Sequence, residues 1–388
     1  MNDDPLLMIP GPTNLPLEVR AALAGPGIYH RGPEFARLLA RCTDGLRALL
    51  GTFGDALLLT SSGTGAMEAA ITNFLSPGDP VLAVQAGKFG ERLGDIAQAF
   101  GAEVTRCEFE YGHAADPQVI SDALGGGHYR AVLCVHNETS TGVMHPIGEI
   151  ARAARDAGAF AIVDCVSCLG GVPVLMDERG LDVVAAGSQK CLMLPPGLAL
   201  VGVAPHMWQV AEAALMPRYY FDLLKARESA AKGQTPYTPN ISLLVALGAS
   251  LDLIEAEGIE RVFARHRAMA DAVRAAVAVA GLQLFADPQH LSDTVTAICS
   301  PAGVDSVELV SGVWARHEVL ISGGQGSLRG RIFRIGHMGT VRLPQVLRTL
   351  EAVADVLGEL GYPCDAAAML DAARAAAGGE GAGQGAGV

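Results

Sequence analysis

Hydrophobic positions fall in short unbroken runs through the first two hundred residues. The runs Leu57–Thr60, Val81–Val84, Ala131–His136, Ala159–Val166, Val183–Ala186 and Leu198–Val203 predict strands. Continuous rather than alternating runs mark strands buried on both faces, as in a mostly parallel sheet covered by helices. Amphipathic stretches such as Gly90–Phe100 and Ile147–Ala157 lie between them, so the alternation predicts an α/β fold layered around one sheet. The pattern changes near Ile241. Ser242–Gly281 reads as a long helical stretch broken near Gly258, followed by strands at Thr294–Cys299 and Ile332–Ile335 and a helix over Leu343–Leu360. That is the pattern of a smaller α+β unit. From Gly378 onward nearly every residue is Gly, Ala or Gln, a composition that predicts a disordered end.

The 388 residues carry 28 Lys plus Arg against 41 Asp plus Glu, a formal net charge of −13. Such an acidic balance argues against a nucleic-acid partner, which demands cations to displace counterions from phosphates. No uncharged apolar run is long enough for a membrane helix, and Met-Asn-Asp-Asp has the wrong charge to open a signal peptide. The expectation is a soluble, cytoplasmic protein. The eight cysteines lie scattered through apolar stretches, as reduced core thiols do. Cys165 and Cys168 form a C-x-x-C, but no second pair at similar spacing completes a structural zinc site. They read as two small core-lining thiols, with a redox pair as the other reading.

Chemistry gathers at three places. The run Leu57–Thr60 leads into Ser61-Ser62-Gly63-Thr64-Gly65 and then a helix. Small residues there let a backbone approach an anion, which the free N–H groups and positive helix end can hold; an ordinary capped turn is the alternative. Asp164 ends a very apolar run. In open α/β sheets that end faces the ligand crevice, and a carboxylate ionised there requires a cation or strong hydrogen bonds; capping the next turn is the plainer role. Lys190 is one of only four lysines, with Lys88, Lys225 and Lys232, and small or apolar residues surround it. Burial favours the neutral amine, which can attack an aldehyde. An amine, an acid and an anion-binding helix end are the three anchors of pyridoxal 5'-phosphate.

On these residues the chain resembles the class V, fold type I pyridoxal-phosphate aminotransferases, in the alanine–glyoxylate and serine–glyoxylate branch. The matching segments run in order: Pro10-Gly11-Pro12-Thr13-Asn14-Leu15-Pro16, Ser62-Gly63-Thr64-Gly65, Gly87-Lys88-Phe89-Gly90-Glu91-Arg92, Glu138-Thr139-Ser140-Thr141-Gly142, Asp164-Cys165-Val166-Ser167, Gly187-Ser188-Gln189-Lys190, Thr238-Pro239 and Arg334-Ile335-Gly336-His337-Met338-Gly339. The resemblance implies a large domain with a mostly parallel seven-stranded sheet and a smaller C-terminal α+β domain. It suggests an arm over residues 1–20, a large domain over 21–255, a small domain over 256–365 and a tail over 366–388.

It also implies roles. Lys190 would carry the Schiff base and then act as general base, and Asp164 would pair with the pyridine nitrogen. Phe89 and Val166 would lie on the two ring faces and Thr139 would bond the ring hydroxyl. Ser62, Gly63, Thr64 and Gln189 would hold the phosphate, with Tyr237 and Thr238 reaching it from the partner subunit of a homodimer. Arg334 would bind the substrate carboxylate through its planar fork, near Thr13 and Asn14; Arg331, three residues away in a strand, would point to the other face. Tyr29–Phe35 would lie near the site. The implied activity is ping-pong transfer of an amino group from a small amino acid, alanine or serine, to a small 2-oxo acid, glyoxylate or pyruvate. 2-Aminoethylphosphonate–pyruvate and ureidoglycine–glyoxylate transaminases share much of the pattern, and a non-catalytic scaffold is the alternative from another class. Phe89 at the ring position counts against a cysteine desulfurase, and the missing G-x-G-x-x-G against a dehydrogenase.

Overall fold

The computed structural model describes residues 5–378, and the stretch from 379 onward, expected to be disordered, lies outside them. Seven strands build the main sheet: β1 (Asp55–Ser61), β2 (Pro80–Gln85), β3 (Glu103–Glu108), β4 (Ala131–Val135), β5 (Phe160–Asp164), β6 (Val183–Gly187) and β7 (Gly197–Val203). Their order is β1-β7-β6-β5-β4-β2-β3. Only β7 runs against its neighbours β1 and β6; the other pairs are parallel. The reversal follows from chain length. Residues 188–196 join β6 to β7, too few for the crossover that a parallel pair requires.

The predicted strands all form, within a residue or two at their ends. Strand β3 has no unbroken apolar run: Glu103, Thr105, Arg106 and Glu108 are exposed and Cys107 is buried. It lies at the sheet edge, where one side is wet and charges are tolerated.

Helices α1 (Pro33–Leu50), α2 (Gly63–Thr72), α3 (Lys88–Ala99), α4 (Ile147–Asp156) and α5 (Ile241–Glu257) share the first hydrophobic core, which runs from Val19 to Val262. A second core forms around the antiparallel sheet β8 (Val295–Cys299), β9 (Ser322–Gly323) and β10 (Ile332–Gly336). Helices α6 (Ile259–Val279), α7 (Leu343–Glu359) and α8 (Ala366–Gly378) pack on it. The break expected near Gly258 is there, with φ of +86° between α5 and α6. Helix α8 corrects the expectation of a tail from residue 366. Its alanine-rich sequence favours a helix, and Met369 and Ala373 are buried in the second core.

The N-terminal arm links the two cores. Leu6–Leu7 pairs in parallel with Val319–Leu320, and Met8 is fully buried in the second core. The chain then crosses to the carboxyl end of the main sheet, where Thr13 N donates to Gln189 O at 3.3 Å. Among the described residues no helix is long and apolar enough to cross a membrane.

Candidate active site

Lys190 sits in the connection after β6. Ser188 Oγ donates to Pro195 O at 2.8 Å and accepts from Leu198 N at 3.2 Å, closing that connection on itself. Ser250 Oγ, from α5, holds Leu192 O at 2.5 Å. Lys190 Nζ donates to Pro10 O, and Thr13 Oγ1 donates to Lys190 O at 3.1 Å. Gly11, with φ of +91°, lies directly against the side chain; a Cβ there would come within 2.8 Å of Nζ and 2.5 Å of Cδ. Burial lowers the amine from its ordinary 10.5 to about 8, with Arg334 and Arg92 adding to the shift and Cys191 and Asp164 opposing it. An appreciable neutral fraction is thereby available near pH 8.

Asp164 ends β5 and is 3% exposed. Its Oδ1 accepts from Val166 N at 2.7 Å, and among the described residues no cation forms an ion pair with it. Burial pushes its carboxyl up to about 7, the Val166 bond pulling it down and the Glu138 charge adding to the rise. The anionic form here calls for a cationic partner.

The start of α2 closes a third side. Hydrogen bonding within the helix begins at Ala66 N, which donates to Ser62 O. Gly63, Thr64 and Gly65 therefore keep their N–H groups for another acceptor. Ser62 and Thr64 are exposed, and the Ser62 side chain does not cap the helix. Gly63 is glycine for want of space: a Cβ would meet Val166 Cγ2 at 2.7 Å. Beside it, Gln189 Oε1 is buried with no hydrogen-bond partner.

Phe89 is half-buried in the first turn of α3, with the Arg92 guanidinium 4.9 Å from its ring centroid. Glu138 fixes that turn, a role missed in reading the sequence. Fully buried, it accepts from Phe89 N and Gly90 N, both at 3.1 Å, and from Ser140 N at 3.1 Å and Ser140 Oγ at 2.5 Å. One carboxylate thus occupies the start of a helix, where negative charge is favoured. The only sequence signal was an acid within a run of small polar residues.

Thr139, the next residue, is buried and gives its carbonyl to Arg334 Nη1 at 2.9 Å. Arg334 Nε and Nη2 donate to Gly323 O at 3.1 and 2.7 Å. The guanidinium is 4% exposed, and burial lowers it from 12.5 to about 10 with the Glu138 charge opposing. Arg331 is exposed in the turn just before β10, outside the strand that carries Arg334.

Thr13 and Asn14, expected near the substrate, both bond the backbone. Thr13 holds Lys190 as described. Asn14 pairs both ends of its amide with Leu7, accepting from Leu7 N at 3.2 Å and donating to Leu7 O at 2.9 Å. These bonds shape the arm, a cause invisible in a local sequence match. Tyr237 and Thr238 also stand apart from the cluster. Tyr237 stacks on Tyr220 with centroids 5.3 Å apart, and its hydroxyl donates to Tyr219 O at 3.1 Å. In the Tyr29–Phe35 stretch, Tyr29 is exposed and Arg31 bonds Gln234 at 2.6 Å.

An activated amine facing a buried acid at the carboxyl ends of a doubly covered sheet is the setting of a group-transfer enzyme. The family model for class-V aminotransferases matches residues 17–349. The chain belongs to the class-V aminotransferase family. It is 43% identical to the soluble hydrogenase small subunit of Synechococcus sp., over 93% of this chain and 95% of that protein. It is 40% identical to the L-aspartate–glyoxylate aminotransferase of Paracoccus denitrificans, over 95% of each. The crystal structure of pyridoxamine–pyruvate aminotransferase from Mesorhizobium loti superposes with a TM-score of 0.92 at 31% identity, covering 96% of this chain and 97% of that one. The fold is the fold type I architecture, and the enzyme is a transaminase.

Proposed function

We propose that the enzyme uses pyridoxal 5'-phosphate to move an amino group from a small amino acid, alanine or serine, to glyoxylate or pyruvate. The observation that carries this reading is the nearness of four groups: the charges of Arg334 and Asp164 both act on Lys190, and Gly63 at the start of α2 lies against Val166, two residues from Asp164. The residues fit the cofactor on their own terms. Among the described residues Asp164 has no cation paired with it, Gln189 Oε1 has no hydrogen-bond partner, and the first three N–H groups of α2 have no acceptor. When bound, the cofactor supplies an aldehyde that captures amines and a ring that draws electrons from the substrate's α-carbon.

Lys190 Nζ would hold the aldehyde carbon. The same Nζ would serve as the general base that takes the substrate's α-proton and returns it. Its lowered pKa suits both duties near neutral pH. Asp164 would keep a ring nitrogen protonated, and the cation would restore the carboxylate to its charged form. Phe89 and Val166 would flank the ring, Thr139 would meet the ring oxygen, and Ser62, Gly63, Thr64 and Gln189 would hold the phosphate. Arg334 would take the substrate carboxylate in a two-donor fork.

Arg334 is the only arginine or lysine among the described residues buried to this degree. One such cation favours a substrate with one carboxylate over a dicarboxylic donor such as aspartate. The exposed aromatic surface of Tyr219 and Tyr220, stacked on Tyr237, supports a homodimer in which Tyr237 and Thr238 reach the partner's phosphate. A cytoplasmic setting agrees with eight free cysteines.

The test is Lys190→Ala assayed with alanine, serine and aspartate against glyoxylate and pyruvate. The wild type should show ping-pong kinetics with alanine or serine preferred, and the variant should lose transfer by at least about a thousandfold. A variant within about tenfold of the wild type would remove Lys190 from the mechanism, and an aspartate preference would overturn the donor assignment.

A further inference from the structure

Directly after Asp164 in the chain, the structure brings a third ligand to the C-x-x-C. His136 follows β4 directly, and its backbone N donates to Asp164 O at 2.9 Å. Cys165 and Cys168 follow β5 in a single turn closed by Cys168 N donating to Cys165 O at 3.1 Å. His136 Nδ1 lies 3.4 Å from Cys168 Sγ and 3.9 Å from Cys165 Sγ. All three ligand atoms fall within 4.8 Å of one another, and all three residues are buried.

These spacings are those of a coordination polyhedron. With metal–sulfur bonds of about 2.3 Å and metal–nitrogen bonds of about 2.0–2.1 Å, tetrahedral angles put sulfur about 3.6 Å from nitrogen and about 3.8 Å from the other sulfur. The observed sulfur–nitrogen distances bracket the first figure, and the two sulfurs lie within 4.8 Å of each other. Two thiolates and an imidazole select soft or borderline cations over magnesium and calcium. A route exists as well: His136 also lines a cavity of about 490 Å³ bounded by His145, His290 and Arg179.

We propose that His136 Nδ1, Cys165 Sγ and Cys168 Sγ form a binding site for one thiophilic divalent cation of the zinc(II) class, with a water in the fourth position. Binding breaks two S–H bonds and forms two metal–sulfur bonds and one metal–nitrogen bond. Two protons leave to solvent, and nothing is oxidised or reduced. The sequence alone hid the site because the third ligand lies 29 residues before Cys165, on the neighbouring strand of a parallel pair. Occupancy would pin the end of β4 to the turn that leaves β5.

The reduced full chain, as purified and stripped with a chelator, is titrated with zinc(II) and with cobalt(II). The expected result is one ion per chain, two protons released per zinc, and a thiolate-to-cobalt charge-transfer band. X-ray absorption on the zinc-loaded wild type should show two sulfur neighbours at about 2.3 Å and a nitrogen at about 2.0–2.1 Å. Cys168→Ser and His136→Ala should weaken binding by at least about 100-fold, beyond the 10–100-fold usual for losing an outer-shell partner. Cys299→Ser should leave it unchanged. Absence of the charge-transfer band, an absorption spectrum fitted without two sulfurs, or equal affinity in a folded Cys168→Ser chain would each overturn the proposal. The wild-type spectra decide the matter even if a variant fails to fold.

Discussion

Replacing Arg334 with methionine separates substrate binding from folding, and the structure gives both magnitudes. The guanidinium is buried without a carboxylate partner. Its fall from 12.5 to about 10 corresponds to about 3 kcal/mol of unfavourable buried charge. Against that stand three hydrogen bonds onto two carbonyls, between 2.7 and 3.1 Å, each contributing about 1.5–3 kcal/mol because the donor is charged. Relief of the burial cost offsets only part of that loss, leaving the variant about 2–6 kcal/mol less stable, while methionine keeps an unbranched stem in the same apolar space. The melting temperature should therefore fall by about 2–7 °C, at about 2.1 cal/mol/K of unfolding entropy per residue over 388 residues. Binding has no such compensation. Losing a desolvated two-donor contact to a carboxylate costs about 2–5 kcal/mol, or about 30-fold to several thousandfold in kcat/KM. Calorimetry and steady-state kinetics on one preparation read the two effects. A kcat/KM within about threefold of wild type would free Arg334 from the carboxylate, and an unchanged melting temperature would refute the weight given to its three hydrogen bonds.

Gly11→Ala should slow the reaction of Lys190 with pyridoxal phosphate, read from visible absorbance, and cost about 1–2 kcal/mol for a left-handed alanine, since the new methyl meets Nζ, Cε and Cδ. Unchanged uptake would mean that the arm yields freely. Asp164→Asn alters the pH dependence of cofactor-free stability. The folded pKa of Asp164 is raised from 3.8 to about 7, so its contribution is fully present below about pH 4 and is lost as pH rises through 7. The asparagine variant should thus gain on the wild type in melting temperature between pH 4 and 7 and hold that gain above; a constant difference would count against the buried acid. Glu138→Gln should cost about 1–3 kcal/mol by turning an amide donor toward N–H groups, with a weaker hold on Phe89 seen as a shift of the cofactor's absorbance; a change in neither would leave the carboxylate without its assigned role.

The fold was legible because burial on both faces writes itself into sequence as unbroken apolar runs, and because Lys190 is one of so few lysines. What escaped was set by neighbours distant in the chain. The edge strand Glu103–Glu108 carries charges on one wet side and so lacks the run. Helix α8 was taken for tail because alanine is uninformative until a second core exists to receive Met369. The bonds of the Asn14 amide to Leu7 were likewise out of sight, a pairing that only the bent arm creates. Glu138 shows the same logic from the other side. Reading residues in isolation assigns an acid to chemistry or to the surface, whereas here the charge is buried to hold the helix start that presents Phe89. His136 completes the series: its part in a three-ligand cluster depends on β4 and β5 lying side by side. The reacting groups of this enzyme are thus visible one by one in the sequence, while the residues that aim them become visible only when strands and helices far apart in the chain are brought together.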